Sequence, residues 1–281
     1  MNPDDDQPLL RQVAEGLSAG TLAPYLGPGM LSLCEGDRPP ADPLALAAWL
    51  SARSPVPGKI RHRFTAVAQF IENFKHRKTL VRLMHEAYAA VPAPSPLHRW
   101  LAALPTPLVV DAWYDDTFRQ ALAAGRRAWY ELQGLSQSEH FGTWFGAFDA
   151  AGGPCVEPPV LAMLLYRPWG GRSPADNYLV SDSDFVEVLT EIDIQTPIPP
   201  IVQALRARLG FVFLGCRFDD QLPRAFARQI LKRSRGPHFA VLPDTPTRME
   251  AKFLAELGIT RIAMPLADVA QRFTETQAAP V

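Results

Sequence analysis

The strongest constraint on this chain is an alternation. Short, very apolar runs recur, and segments with helical periodicity separate them. The runs are Leu22–Leu26, Leu108–Asp111, Val160–Tyr166, Gly210–Cys216 and His238–Pro243, with Thr260–Met264 as a less apolar sixth. Continuous apolar stretches of this length mark strands buried on both faces, as in a parallel sheet. Arg127–Leu132 is a further strand candidate, and Tyr178–Ser181 a short edge strand. Helical spacing fills 7–20, 97–104, 117–124, 182–190, 198–208, 218–232, 247–257 and 266–273.

Apolar strands alternating with helices specify an α/β fold: a Rossmann-like open, mostly parallel sheet covered by helices on both faces. From Asp42 to about Val91 no strand candidate occurs, so this block reads as a helical insertion or lobe after the first strand. Asp42-Pro43 starts it, with Asp as N-cap and Pro at the first helical position. Residues 134–158 read as irregular. The chain is expected to form one domain over 1–281, with a disordered tail at 274–281.

In such sheets, ligands sit beyond the carboxyl ends of the strands, near a topological switch. Four segments fall there: Gly27-Pro28-Gly29, Asp111–Asp116, Arg167–Gly171 and Gly215–Asp220. Glycines without Cβ let backbone N–H groups approach a phosphate or ribose. Alone, Gly27 and Gly29 are an ordinary strand-ending turn, and no third glycine completes a dinucleotide fingerprint. The convergence of four such ends on one edge is what points to a cleft.

The chain has 281 residues, 47% of them hydrophobic, enough for a full core. Its 28 basic and 29 acidic residues leave a formal net charge of −1, which gives no global field for nucleic acid or an anionic membrane. No apolar run approaches the ~20 residues that span a bilayer. The acidic N-terminus lacks a secretory signal, so the expected location is the cytoplasm. Three scattered cysteines, Cys34, Cys155 and Cys216, cannot build a four-cysteine zinc site. One local basic block runs from Lys59 to Arg82, interleaved with Phe64, Phe70 and Phe74. A core of phenylalanines under a solvated basic face is the preferred reading over nucleic-acid binding.

The order and content of these segments resemble the bacterial SIR2-like family, sirtuin relatives that bind or cleave NAD, over roughly residues 8–245. The family's Gly-Ala-Gly-x-Ser turn is similar to Gly27-Pro-Gly-Met-Leu-Ser32, with the serine one place late. Its strand ending Thr-Thr-Asn-Tyr-Asp is similar to Val110-Asp-Ala-Trp-Tyr-Asp115, where Trp113 replaces the Asn. Its Leu-His-Gly resembles Pro168-Trp169-Gly170, where Trp169 replaces the His. Its Phe-Leu-Gly-Tyr-Ser-Phe-Asp-Asp is similar to Phe213-Leu-Gly-Cys-Arg-Phe-Asp-Asp220, with Arg217 in place of Ser.

The resemblance implies a nucleotide crevice for NAD or ADP-ribose. It would be lined by Gly27, Gly29, Ser32, Asp111, Trp113, Asp115, Trp169, Gly215, Arg217 and Asp219. In the family the Asn and His serve NAD cleavage. An indole cannot act as a general base, because its N–H only donates. The leading reading is therefore a catalytically degenerate SIR2-like protein that binds NAD, ADP-ribose or a related nucleotide in a regulatory or interaction role, with a protein partner or a second copy. The alternatives are an active NAD glycohydrolase using His140 or His98 as base, and a binding module acting through block 42–91. Zinc-dependent deacetylation does not fit three cysteines.

Overall fold

The computed structural model describes residues 6–156, 161–194 and 198–275. In chain order the first elements are α1 (Gln7–Ser18), β1 (Leu22–Leu26), a 3-10 turn (Pro28–Leu33), α2 (Pro43–Arg53), a second short 3-10 turn (Gly58–Ile60), α3 (Phe64–Lys75) and α4 (Arg77–Ala87). Then follow α5 (Pro96–Ala103), β2 (Leu108–Asp111), α6 (Thr117–Ala124), β3 (Trp129–Gly134), β4 (Phe145–Asp149), β5 (Met163–Arg167), β6 (Gly170–Gly171) and β7 (Asn177–Tyr178). The last third holds α7 (Asp182–Ile194), α8 (Pro200–Arg206), β8 (Gly210–Leu214), α9 (Gln221–Leu231), β9 (His238–Val241), α10 (Arg248–Glu256), β10 (Ile259–Ile262) and α11 (Leu266–Glu275).

Eight strands form one sheet in the order β10-β9-β8-β1-β2-β5-β3-β4. All neighbours pair in parallel except β3 and β4. This is the Rossmann-like α/β architecture expected from the alternation. Side chains alternate across the strands, so each face has its own core. Leu22, Leu26, Val109, Leu165, Val212 and Leu214 pack on one face with α1, α5, α6 and α11. Tyr25, Val110, Tyr166, Phe211 and Phe213 pack on the other with α8, α9 and α10. A third cluster lies between α2, α3, α4 and α7 and holds residues that follow β2 and β5.

Local signals explain the helix starts. The Asp42 carboxylate accepts from Ala45 N–H at 2.8 Å, and Asp220 caps α9 through Leu222 N–H at 3.0 Å. Thr247 and Glu250 form a capping box at α10. Each cap stabilises its helix by about 1 kcal/mol.

Three expectations need correction. Residues 134–158 are not all irregular, because Phe145–Asp149 pairs antiparallel with β3. This strand, Phe-Gly-Ala-Phe-Asp, is half-exposed, is interrupted by Gly146 and does not alternate apolar with polar residues, so periodicity does not mark it. Tyr178 belongs to a separate two-stranded ribbon, β6–β7, and not to an edge of the main sheet. Thr274 and Glu275 continue α11 where the tail was expected to begin. Val160, the expected start of β5, and 276–281 of the expected tail lie outside the described residues.

Candidate functional site

The strand order reverses at β1. Its outgoing connection leads to β2 on one side, while β8 on the other side leads away to β9. A ligand crevice in such a sheet opens at that switch, between the carboxyl ends of β1 and β8. Gly27, Gly29 and Gly215 meet there. Gly27 N–H donates to Leu214 O and Gly29 N–H to Gly215 O, each at 2.9 Å. Gly215 has φ +66°, and a Cβ on it would lie 2.4 Å from Met30 N. The close approach permitted by these glycines is thus chain against chain, and the two N–H groups expected to face a phosphate are already bonded. Ser32 is exposed and donates its hydroxyl to Gly29 O at 2.7 Å.

Above this edge the space is filled by aromatic rings. Trp113 and Trp169 are 1% and 4% exposed, with ring centroids 5.9 Å apart. Tyr114 packs on both, at 5.0 Å and 5.9 Å. Phe64 and Tyr88 close on Trp113, and Phe185 and Phe226 on Trp169. Trp113 Nε1 donates to Pro40 O at 2.9 Å, and the Tyr88 hydroxyl donates to the same carbonyl at 3.2 Å. The loop entering α2, the residue after α4 and the loop after β2 are thereby pinned together. Trp169 Nε1 is buried without a hydrogen-bond partner.

Beneath the rings sits a buried charge cluster, which sequence reasoning missed. Arg167, Glu131 and Gln133 occupy alternate positions facing α6, and each is fully buried. The Arg167 guanidinium donates to Asp116 Oδ1 at 2.8 Å, Asp115 O at 2.7 Å and Ser173 O at 3.1 Å. Glu131 lies 3.4 Å from it and takes a second ion pair from Arg119 at 3.0 Å. Asp111 Oδ2 stands 4.0 Å from Arg167 Nε. Asp115 Oδ1 accepts from Thr117 N–H at 3.0 Å, which starts α6.

Four carboxyls thus share two guanidiniums away from water. Burial pushes the Asp111 carboxyl well up, and the Asp115 charge adds to it against the pull of Arg167. Burial likewise raises Asp115 and Glu131. Burial opposes the Arg167 charge, but Asp116, Glu131 and Asp111 outweigh it and hold the guanidinium above its usual range. The sequence signal was partial: Glu131 is a charged residue inside the expected strand Arg127–Leu132, whereas Gln133 and Arg167 directly follow expected strands.

The remaining expected site residues are elsewhere. Arg217 pairs with Asp244 at 2.7 Å and Glu250 at 3.5 Å, on the side of α10. Asp219 is exposed beside the Asp220 cap. Of the two candidate bases, His140 lies exposed in the turn after β3. His98 is buried in the capping box of α5, where Nδ1 accepts from Ser95 N–H at 3.3 Å. Burial, with Arg99 nearby, lowers its pKa to about 4.

Three arginines of the basic block are paired, Arg63 with Asp182 at 3.6 Å among them. Arg77 is held by Asp184 at 2.8 Å, Glu139 at 3.2 Å and Glu72 at 3.6 Å, and Arg82 by Glu86. Phe64 is core as expected, but Phe74 is 67% exposed.

The crevice left at the strand ends is lined by Tyr25, Val110, Tyr166, Phe226 and Ile230 among others, with a free volume of about 20 Å³. That holds roughly one water, whereas ligand pockets run to ~300 Å³ and above. The residues as arranged do not fit a dinucleotide. Among the described residues, no group of three or more His, Cys, Asp or Glu is placed to hold a metal ion. No helix among them is long and apolar enough to cross a membrane.

Fold and site together define a Rossmann-like α/β protein with an aromatic closure over the switch-point edge. Residues 107–262, more than half of the chain, match the family model described as a SIR2-like domain, and the chain belongs to that family. A solved structure described as "Structural Basis for the Mechanism and Regulation of Sir2 Enzymes" matches with a TM-score of 0.43 and 12% identity, covering 96% of this chain and 97% of that one. No curated protein sequence matches.

Proposed function

We propose that this chain is a catalytically degenerate SIR2-like protein, a single α/β domain with residues 42–91 as a helical lobe within it. It serves as an interaction module for a protein partner or a second copy. Cleavage of NAD needs a proton acceptor within hydrogen-bond reach of the reacting ribose. The observation that supports this reading is the buried contact of Trp113 with Trp169, the two positions that the family resemblance aligns with the Asn and His. His98 is committed to a helix cap, which removes it as a substitute base. NAD or ADP-ribose would enter the crevice only if the aromatic closure parted, so the resting form of the module is nucleotide-free.

The test is incubation of purified, folded protein with NAD, with nicotinamide measured by chromatography. The expected result is no release above the protein-free blank. Time-dependent release that scales with protein concentration would overturn the reading.

A further inference from the structure

The edge of the sheet opposite the crevice carries a surface that the SIR2-like reading does not use. Between residues 198 and 243 the chain holds eight Arg or Lys residues against two acidic ones, Asp219 and Asp220, in a protein whose net charge is −1. Both acids sit at the far, carboxyl end of β8. At the amino end, α8 finishes at Arg206 and α9 at Leu231, and the two helix ends meet. Arg206 donates to Gln229 O across them, and Arg235 N–H donates to Leu209 O at 3.1 Å. Arg208, Lys232, Arg233 and Arg235 therefore crowd around one spot, and all four are exposed. None of their side chains makes a hydrogen bond or ion pair among the described residues. The carboxylate of Glu256, at the end of α10, is already taken by Arg228 at 3.0 Å and Lys252 at 3.7 Å.

Cations at helix C-termini offset the helix dipole, but the effect acts within the last turn and one charge per helix meets it. Two observations exceed that need. Arg233 occupies the left-handed position after α9 at φ +66°, a place glycine fills without strain. Buried Arg206 has its pKa lowered, first by burial and further by the Arg233 charge, so like charges are held together here with no ion pair to either among the described residues.

We propose that this patch binds the phosphate backbone of a nucleic acid, independently of sequence. Three of the four exposed cations are arginines, whose planar fork matches phosphate oxygens. None of the exposed large apolar side chains lies in segments 206–210 or 231–237, so the surface lacks the wedge that membrane insertion requires. The proposal is independent of whether the crevice binds a nucleotide.

The test is fluorescence anisotropy of a labelled single strand and a labelled duplex of equal length, titrated at low and at physiological salt. Four phosphate contacts on the duplex give a log–log salt slope of about −3.6, or about a hundredfold loss between about 50 and about 200 mM salt. The variant R208Q/K232Q/R233G/R235Q is expected to lose at least tenfold in affinity at low salt and most of that slope. The Gly at 233 removes strain, so the variant folds. The control K59Q/K75Q/K78Q, on the helical lobe, is expected to bind as wild type does.

Equal affinity and slope for the quadruple variant and wild type would overturn the proposal. So would absence of any wild-type anisotropy change at low salt. Wild-type binding to vesicles of anionic phospholipid, with none to either nucleic acid, would also overturn it.

Discussion

Trp113 and Trp169 meet at a tilt of 56° with ring centroids 5.9 Å apart in one buried cluster, yet only one of the two indole N–H groups is satisfied. Trp113 donates to Pro40 O, whereas Trp169 Nε1 has no partner. A buried unpaired donor costs about 1–3 kcal/mol, while a made hydrogen bond contributes about 1. Replacing each indole by phenyl therefore has unequal effects. Trp113→Phe breaks a bond and leaves Pro40 O with the Tyr88 hydroxyl alone, and Trp169→Phe removes the orphan. Urea unfolding should place Trp113→Phe about 1–2 kcal/mol below Trp169→Phe. Equal losses would mean that the Pro40 bond is not holding the closure.

Among the described residues, Arg167 is the only cation in direct contact with Asp116 and the carbonyls of Asp115 and Ser173. Arg167→Leu leaves buried carboxyls uncompensated, and the expected loss is about 3–5 kcal/mol in urea unfolding. Arg167→Lys should recover less than half of it, because an ammonium cannot span the same set of acceptors. A loss under about 1 kcal/mol for Arg167→Leu would contradict the role given to the cluster.

The switch-point packing is tested by two glycines of similar backbone conformation. Gly215 and Gly258 have φ of +66° and +61°, but a Cβ on Gly215 meets Met30 N at 2.4 Å while one on Gly258 meets nothing within 4 Å. Gly258→Ala should cost about 1 kcal/mol, the backbone term alone. Gly215→Ala should cost clearly more, about 3 kcal/mol, because β1 and β8 must separate. Equal costs by thermal unfolding would show that the close approach is not tight.

His98 sets a pH dependence with a definite sign. Its pKa in the fold is about 4, against roughly 6.5 in the unfolded chain. Above about 6.5 both states hold neutral imidazole, and the stabilisation is whole. As pH falls toward 4 the unfolded state takes up the proton first, and stability declines by an amount on the order of 3 kcal/mol. The buried Asp111, Asp115 and Glu131 are raised and act in the opposite sense, losing stability as pH rises. The difference between wild type and His98→Gln cancels them, since Gln keeps the capping box and does not titrate. Urea unfolding at pH 7 and pH 5 should show the wild type losing more than the variant. Parallel losses would contradict a buried neutral His98.

The sheet was legible because Leu108–Asp111 and Gly210–Leu214 are apolar on both faces, a pattern few other elements produce. The helix starts at Asp42 and Asp220 were legible through local chemistry that needs no partner. The edge strand Phe145–Asp149 was not, since Phe-Gly-Ala-Phe-Asp does not alternate apolar with polar residues. The site divides the same way. Positions along the strand ends could be placed, so Trp113, Trp169, Asp111 and Asp115 were singled out. What fills the space between them depends on Pro40, Tyr88 and Phe226, which come from distant segments. The glycine turn had the shape expected, but its N–H groups find acceptors on Leu214 and Gly215 at the carboxyl end of β8, a pairing set by topology and invisible in Gly27-Pro-Gly29 alone.

The central claim is that the chain closes its own nucleotide crevice. Isothermal titration of NAD, and separately of ADP-ribose, into folded wild-type protein tests it most directly. The account predicts no saturable heat from either compound at concentrations where the protein remains folded. A saturable isotherm from either one would contradict it.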